Sequence, residues 1–208
     1  MHIFILCHNE SVLLPHTIAH YRNYLPNSVI TVMDNESTDG SPEIAQQLGC
    51  QVVSCPGNMN ELSSNIKNNC WINVKGWVIV VDVDEWLCIS EQEVEHETQN
   101  RVTILQTRVL DMIGESKNEH LTDINLHRIP RYIDNIYLNK PVCFNTNEIS
   151  FNQGPVGRVQ YSYRNYIIKN MVFLGLPYYT KRMAERYGRI HANEYQHLLM
   201  NSQILDVR

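Results

Sequence analysis

What the chain lacks narrows it first. Its six cysteines, at 7, 50, 55, 70, 88 and 143, include no C-x-x-C pair, so no structural zinc is expected. No stretch of about 18 apolar residues occurs, so no membrane span is expected. The opening MHIFILCHNE has neither a basic start nor a small-residue cleavage site and does not read as a signal peptide. Together with the cysteine usage this predicts a cytoplasmic, reducing location. Basic charge is scarce as well. Seventeen Lys and Arg face 22 Asp and Glu, a formal net charge of -5, which argues against a strongly basic nucleic-acid module. With 43% hydrophobic and 19% charged residues, whole-chain disorder is excluded.

What is present suits one domain spanning 1–208, long enough to bury a core without staples. Its charge is uneven. Residues 1–99 carry 3 basic and 13 acidic side chains, whereas 158–208 carry 8 and 3. This asymmetry is either a solvated surface or the two sides of one polar site.

The pattern of elements is α/β. Apolar runs at His2–Cys7, Ser28–Met33, Gln51–Ser54 and Trp77–Val81 read as strands. Leu13, Leu14, Ile18, Tyr21 and Leu25 recur at helical spacing and predict a helix to about Tyr24, stopped by Pro26. Further helices are expected over Pro42–Leu48 and Met59–Asn73. Strands alternating with helices predict a mixed, largely parallel central sheet. Right-handed crossovers then bring His8–Glu10, Asp34–Gly40 and Asp82–Glu85 to one edge, the strand C-termini, where ligands bind in open α/β sheets. Further on, Glu91–Gln99 is a helix or a solvated loop, Arg101–Leu110 a strand, and 112–140 polar and aperiodic. Residues 159–172 mix aromatic and basic side chains, and Tyr178–Met200 reads as mostly helical.

Three clusters offer chemistry. Asp82 and Asp84 end the most apolar strand at a spacing that puts two carboxylates on one face, suited to a hard divalent cation. They equally suit an acidic loop. Asp34 can accept a ligand hydrogen bond, while Ser37 and Asp39 can serve as turn or capping residues. His8 and Lys67 read as solvated side chains or as ligand contacts. The tail interleaves Arg158, Arg164, Lys169, Lys181, Arg182, Arg186 and Arg189 with tyrosines, and His191 is a candidate third metal ligand. The acidic first half would repel a nucleic-acid backbone, so phosphate and sugar are the better partners for that tail.

FILCHNE, TVMDNESTDGS and VIVVDVDEW, in that order, resemble the family 2 glycosyltransferases of GT-A fold. The length and the DVDEW form look most similar to small viral members. The resemblance implies that Cys7, His8, Asn9 and Glu10 line a nucleotide pocket and that Asp34 contacts the base. Asn65 and Lys67 would approach the nucleotide sugar, Asp82 would lie near ribose and metal, and Asp84 would bind Mn²⁺ or Mg²⁺. It implies a nucleotide-binding half at 1–90 and an acceptor-binding half at 91–208. The activity implied is inverting transfer from a nucleotide diphosphate sugar, UDP favoured, to a glycan or other hydroxyl acceptor. No Q-x-x-R-W motif is present, which argues against a processive membrane synthase. The general base is open among Asp111, Asp206 and Glu194. A nucleotidylyltransferase, or a non-catalytic nucleotide- or glycan-binding module, are the alternatives.

Overall fold

A computed structural model describes residues 1–57, 65–115, 121, 125–136, 140–151, 155–187 and 202–204. Strands β1 (His2–Cys7), β2 (Val29–Asp34), β3 (Gln51–Ser54) and β4 (Trp77–Asp82) lie side by side in the order β3-β2-β1-β4, all parallel. The near-continuous apolar runs of β1, β2 and β4 fit strands covered on both faces, whereas β3 at the edge is largely exposed. Beyond β4 the sheet turns mixed. A short β8 (Cys143–Asn145) pairs antiparallel with β4 and with β6 (Ile104–Ile113). β6 then pairs antiparallel with β7 (Arg131–Asp134) and parallel with β11 (Tyr161–Phe173), which also pairs with β5 (Glu85–Leu87). β12 (Gln203–Ile204) edges β7, and β9 (Ile149–Phe151) and β10 (Pro155–Gly157) form a separate hairpin. This is the expected mixed, mostly parallel single α/β sheet of GT-A-like type.

The strand period sorts the core. Ile3, Ile5 and Cys7 of β1 face helix α1 (Leu14–Tyr24), where Leu14, Ile18 and Tyr21 are buried. Each such side chain contributes about 1.5–3 kcal/mol of transfer free energy. Phe4 and Leu6 point the other way, onto Trp71, Val80 and Phe144. Helix α2 (Ser41–Gln47) leads from β2 to β3, and residues 65–69 are helical ahead of β4.

Several expectations shift. Glu91–Gln99 is helix α3, closed by a capping box in which Ser90 and Glu93 exchange side-chain and backbone bonds. Arg101 follows with φ 61°, so β6 starts at Ile104 rather than at 101. Most of segment 159–172, whose alternation is broken by exposed Tyr163, Arg164 and Asn165, falls in the 13-residue strand β11 (Tyr161–Phe173). Helix α4 runs Leu176–Tyr187, and the remainder of the expected tail helix lies outside the described residues. All six cysteines are free.

Candidate active site

The ends of β1, β2 and β4 lie level with one another. Cys7 pairs with Asp34, and Leu6 with Asp82. Two backbone bonds continue the register past the strands, Asn35 N–H to Cys7 O and Val83 N–H to Leu6 O. The three polar clusters therefore meet at one sheet edge, as the strand order predicts.

Helix α1 fixes the DVDEW turn from below. The Thr17 hydroxyl donates to Val83 O at 2.6 Å and accepts from the Trp86 indole N–H at 2.9 Å. The Tyr21 hydroxyl donates to Glu85 O at 2.7 Å. Trp86 is fully buried, the anchoring that its position beside the acids suggests. The loops after β1 and β2 are zipped together in turn. Asn9 N–H donates to Ser37 Oγ, Glu10 N–H to Ser41 Oγ, and Ser11 N–H to Asp39 Oδ2. Asp39 Oδ1 accepts from the Ser41 backbone and hydroxyl, so Asp39 acts as a turn residue while Gly40, at φ 86°, takes the N-cap position. His8 Nδ1 lies 2.5 Å from Asn35 O and is engaged in this loop junction.

The two acids of D-V-D take different partners. Asp84 is buried and receives the Arg182 guanidinium from α4 at 2.7 Å. The same guanidinium donates through Nε to Glu10 at 2.8 Å, joining the end of β1 to the acidic turn. Burial works against the Arg182 charge, but Asp84 and Glu10 hold it firmly protonated. Asp82 is 37% exposed in its side chain. It accepts from the Lys67 ammonium at 2.7 Å and lies 3.7 Å from that of Lys140, which also meets Glu85 at 2.6 Å. Burial lowers Lys140, yet Glu85 and Asp82 outweigh it and keep its affinity for the proton above the ordinary value. Glu85, buried beside Asp82, is pushed above the usual carboxylate range.

Two atoms in this region are buried without a hydrogen-bond partner among the described residues, Asp34 Oδ1 and Arg182 Nη1. Asp34 Oδ2 accepts from Ser37 N–H at 3.2 Å. A buried acceptor left unmade at a strand terminus is costly, and a ligand donor would satisfy it. Cys7 is buried and its thiol is pushed up to about 12 by desolvation, so it packs rather than reacts.

Asp111 lies in β6 with both oxygens held, by Asn170 Nδ2 at 2.7 Å and Asn135 Nδ2 at 2.9 Å. Burial raises its pKa more than these bonds lower it, and the charge of Asp84 raises it further. Asn65 is turned to Asn69 on its own helix rather than to the acids. His191, Glu194 and Asp206 fall outside the described residues.

Among the described residues no three His, Cys, Asp or Glu side chains gather as a metal cage. A Mg²⁺-like cation shared with substrate phosphates needs only one or two carboxylates. Asp82, partly open, fits that form of site, whereas Asp84 is closed in by Arg182. Sequence reasoning did not single out Lys140 or give Arg182 its place. Glu85 alone carried a signal, since it adjoins the acids.

A parallel sheet edge gathering acids and cations on a GT-A-like fold defines a nucleotide-sugar transferase type of architecture. Residues 2–153 match the sequence model of glycosyl transferase family 2, and the chain belongs to that family. It is 34% identical over 130 residues to an uncharacterized glycosyltransferase of Rickettsia prowazekii (strain Madrid E). A second, from Rickettsia typhi (strain ATCC VR-144 / Wilmington), is 32% identical over 130 residues. Each match covers 59% of this chain and 42% of the relative, so the chain spans less than half the length of these curated relatives. Both are bacterial, and the likeness to small viral members gains no support from them. Among solved structures, S. aureus TarS 1-349 in complex with UDP-GlcNAc matches with a TM-score of 0.41 and 12% identity, over 82% of this chain and 58% of that one. Mannosyltransferase PcManGT from Pyrobaculum calidifontis, in complex with GDP-Man and Mn²⁺, matches with a TM-score of 0.37 and 13% identity, over 51% of this chain and 34% of that one. No helix among the described residues is long and apolar enough to cross a membrane.

Proposed function

We propose that this chain transfers a sugar from a nucleotide diphosphate sugar, UDP-linked in preference, to a hydroxyl of a glycan acceptor with inversion at the anomeric carbon. The observation that carries this reading is the buried, unpartnered Asp34 Oδ1 level with the Asp82 and Asp84 turn. A nucleoside supplies the N–H or O–H donor that this acceptor lacks. Lys67 and Lys140, both beside Asp82, would supply cations for the diphosphate. Asp82 would hold Mn²⁺ or Mg²⁺, which when bound offsets the charge of the leaving diphosphate, whereas Asp84 stays engaged by Arg182.

Asp111 is proposed as the general base, taking the acceptor hydroxyl proton as that oxygen attacks. Its raised proton affinity suits the role, and the two asparagine amides fix its orientation. The acceptor oxygen would bond to the anomeric carbon as the bond from that carbon to the diphosphate breaks, and its proton would pass to Asp111.

Calorimetry with UDP and GDP, with and without Mn²⁺, followed by a donor hydrolysis assay, tests the reading. Micromolar binding with slow release of free sugar is expected. A chain that binds no nucleoside diphosphate under either condition refutes it, and binding without turnover of any donor favours a non-catalytic module.

A further inference from the structure

The sheet edge opposite the Asp82 turn carries a cavity of about 380 Å³, within the usual range for small-molecule sites. β8 is antiparallel to both β4 and β6, so β6 runs with β4 and opens, at Ile104, on the edge away from the acids. Tyr161 pairs with Ile104, which brings the start of β11 to the same end. The cavity is walled by Glu97 and Asn100 at the end of α3, by Val102, and by Tyr161, Tyr163 and Arg164 of β11. From Ile104 to Asp111 the strand covers roughly 23 Å at its usual rise, so the cavity stands apart from the proposed transfer site.

The lining favours positive charge. Glu97 is only 5% exposed. Its Oε1 accepts from the Tyr166 hydroxyl at 2.6 Å, whereas Oε2 takes no hydrogen bond among the described residues and is not sealed from solvent. A buried carboxylate oxygen left in that state calls for a donor. Helix α3 ends here with Asn100 in the C-cap position, and a helix C-terminus carries partial negative charge. Tyr161, about half exposed, and Tyr163, fully exposed, offer ring faces to a cation. Arg164 is already engaged. Its Nη2 donates to Glu93 Oε1 at 2.8 Å and to the Tyr166 hydroxyl at 3.0 Å, and its guanidinium lies 4.6 Å from the centre of the Tyr166 ring. Glu93 and Glu97 against Arg164 leave this group one positive charge short of neutral. Arg101 is exposed and does not line the cavity. An anion would meet the Glu97 carboxylate and the helix end, and be repelled. A hard metal ion asks for more oxygen ligands than Glu97 supplies, and no metal cage forms among the described residues. Buried Val102 and the tyrosine rings suit an alkyl body, and Oε2 asks for an N–H donor that a quaternary ammonium lacks.

We infer that this cavity binds a small primary alkylammonium ion, whose N–H groups donate to Glu97 Oε2 while its alkyl body lies against Val102 and the tyrosine rings. Nothing in this site depends on the transferase reading. Amide chemical-shift titration of the whole chain tests it with three probes: hexylammonium chloride, hexanol and Nα-acetyl-lysine methylamide. Hexylammonium is expected to shift the backbone amides of 96–102 and 160–164 saturably and to leave those of 82–85 in place. Hexanol, of the same shape without the charge, should bind at least about tenfold more weakly, the worth of one hydrogen bond between charged groups. Glu97→Gln should weaken hexylammonium by about tenfold as well. Tyr163→Ala, at a fully exposed position, should weaken it by about threefold and serves as the folded control if Glu97→Gln disturbs the Tyr166 contact. The inference is overturned if hexylammonium gives no saturable shift at these residues, if hexanol binds as tightly, or if Tyr163→Ala binds it as well as the native chain. Nα-acetyl-lysine methylamide presents the same ammonium as a protein side chain does. Equal or weaker binding of that probe supports a free amine as the occupant, and a tenfold preference for it overturns that assignment in favour of a lysine from another protein.

Discussion

Arg182→Met isolates the contact that ties helix α4 to the sheet edge. In the native chain Arg182 donates to Glu10 at 2.8 Å and to Asp84 at 2.7 Å, and all three side chains are nearly inaccessible. Methionine fills much of the volume but takes the Arg182 cation away from two buried carboxylates. Removing one partner of a buried pair costs about 3–5 kcal/mol. Against a total stability of roughly 5–15 kcal/mol this is a large fraction. For a chain of this size it corresponds to a fall in Tm of roughly 6–20 °C. Urea unfolding followed by tryptophan fluorescence would measure the loss. Protonating a buried carboxylate removes its uncompensated charge, so the deficit should shrink as the pH is lowered. Asp84→Asn in the same background should recover part of it, because neighbouring sites are not additive. A loss under about 1 kcal/mol at neutral pH, or one indifferent to pH, would refute the reasoning that the triad is a closed, dry ion cluster.

Other perturbations read out separate parts of the site. His20 is buried, stacks on Trp86 at 5.0 Å, and is lowered to about 4 chiefly by desolvation. The unfolded chain then binds the proton first, so stability is full above about pH 6.5 and declines as the pH falls toward 4, by about 3 kcal/mol at most. His20→Phe keeps the stack and should flatten that acid limb in pH-dependent unfolding; an unchanged slope would place the titration elsewhere. Asp111→Asn should cut transfer by at least about a hundredfold with nucleotide affinity intact, and native activity should rise with pH through a carboxylate value above the ordinary one. Retained transfer would remove Asp111 as the base. Asp82→Asn, at a partly exposed site, should leave Tm within a few degrees yet abolish any gain in UDP affinity from Mn²⁺, measured by calorimetry. A full Mn²⁺ response in that variant would reassign the cation to other residues.

The parallel half of the fold was legible because each strand is a short apolar run closed by a polar cluster, and helix α1 shows its period over Leu13, Leu14, Ile18, Tyr21 and Leu25. The edge residues Glu10, Asp34, Asp82 and Asp84 followed from strand order alone. The mixed half was not. β11 carries exposed Tyr161, Tyr163, Arg164 and Asn165 on a partly open face, which destroys the alternation that would announce a strand. Lys140 lies in a polar stretch with no period, and its approach to Glu85 depends on β8 running back along β4. Arg182 is 98 residues from Asp84 and 172 from Glu10, and no local pattern marks such a pairing.

The charge asymmetry along the chain acquires a physical sense from these placements. The acidic half brings Glu10, Asp82, Asp84 and Glu85 to one edge, and three of them are buried. Left alone they would repel one another and would repel a diphosphate still more strongly. Only Lys67 comes from the acidic half itself. Lys140 and Arg182 arrive from the later segments and complete the cluster. Among the described residues these four carboxylates face three cations, one charge short of neutral. A nucleoside diphosphate adds further negative charge, so its binding must be coupled to the entry of positive charge or to the re-pairing of a lysine from carboxylate to phosphate. Exposure decides where that exchange happens. Arg182 is locked between two buried acids, whereas Lys67 and Lys140 are each partly open beside Asp82. The rigid triad therefore sets the geometry of the edge, and the lysine–Asp82 group is the part open to changing partners in the proposed transfer.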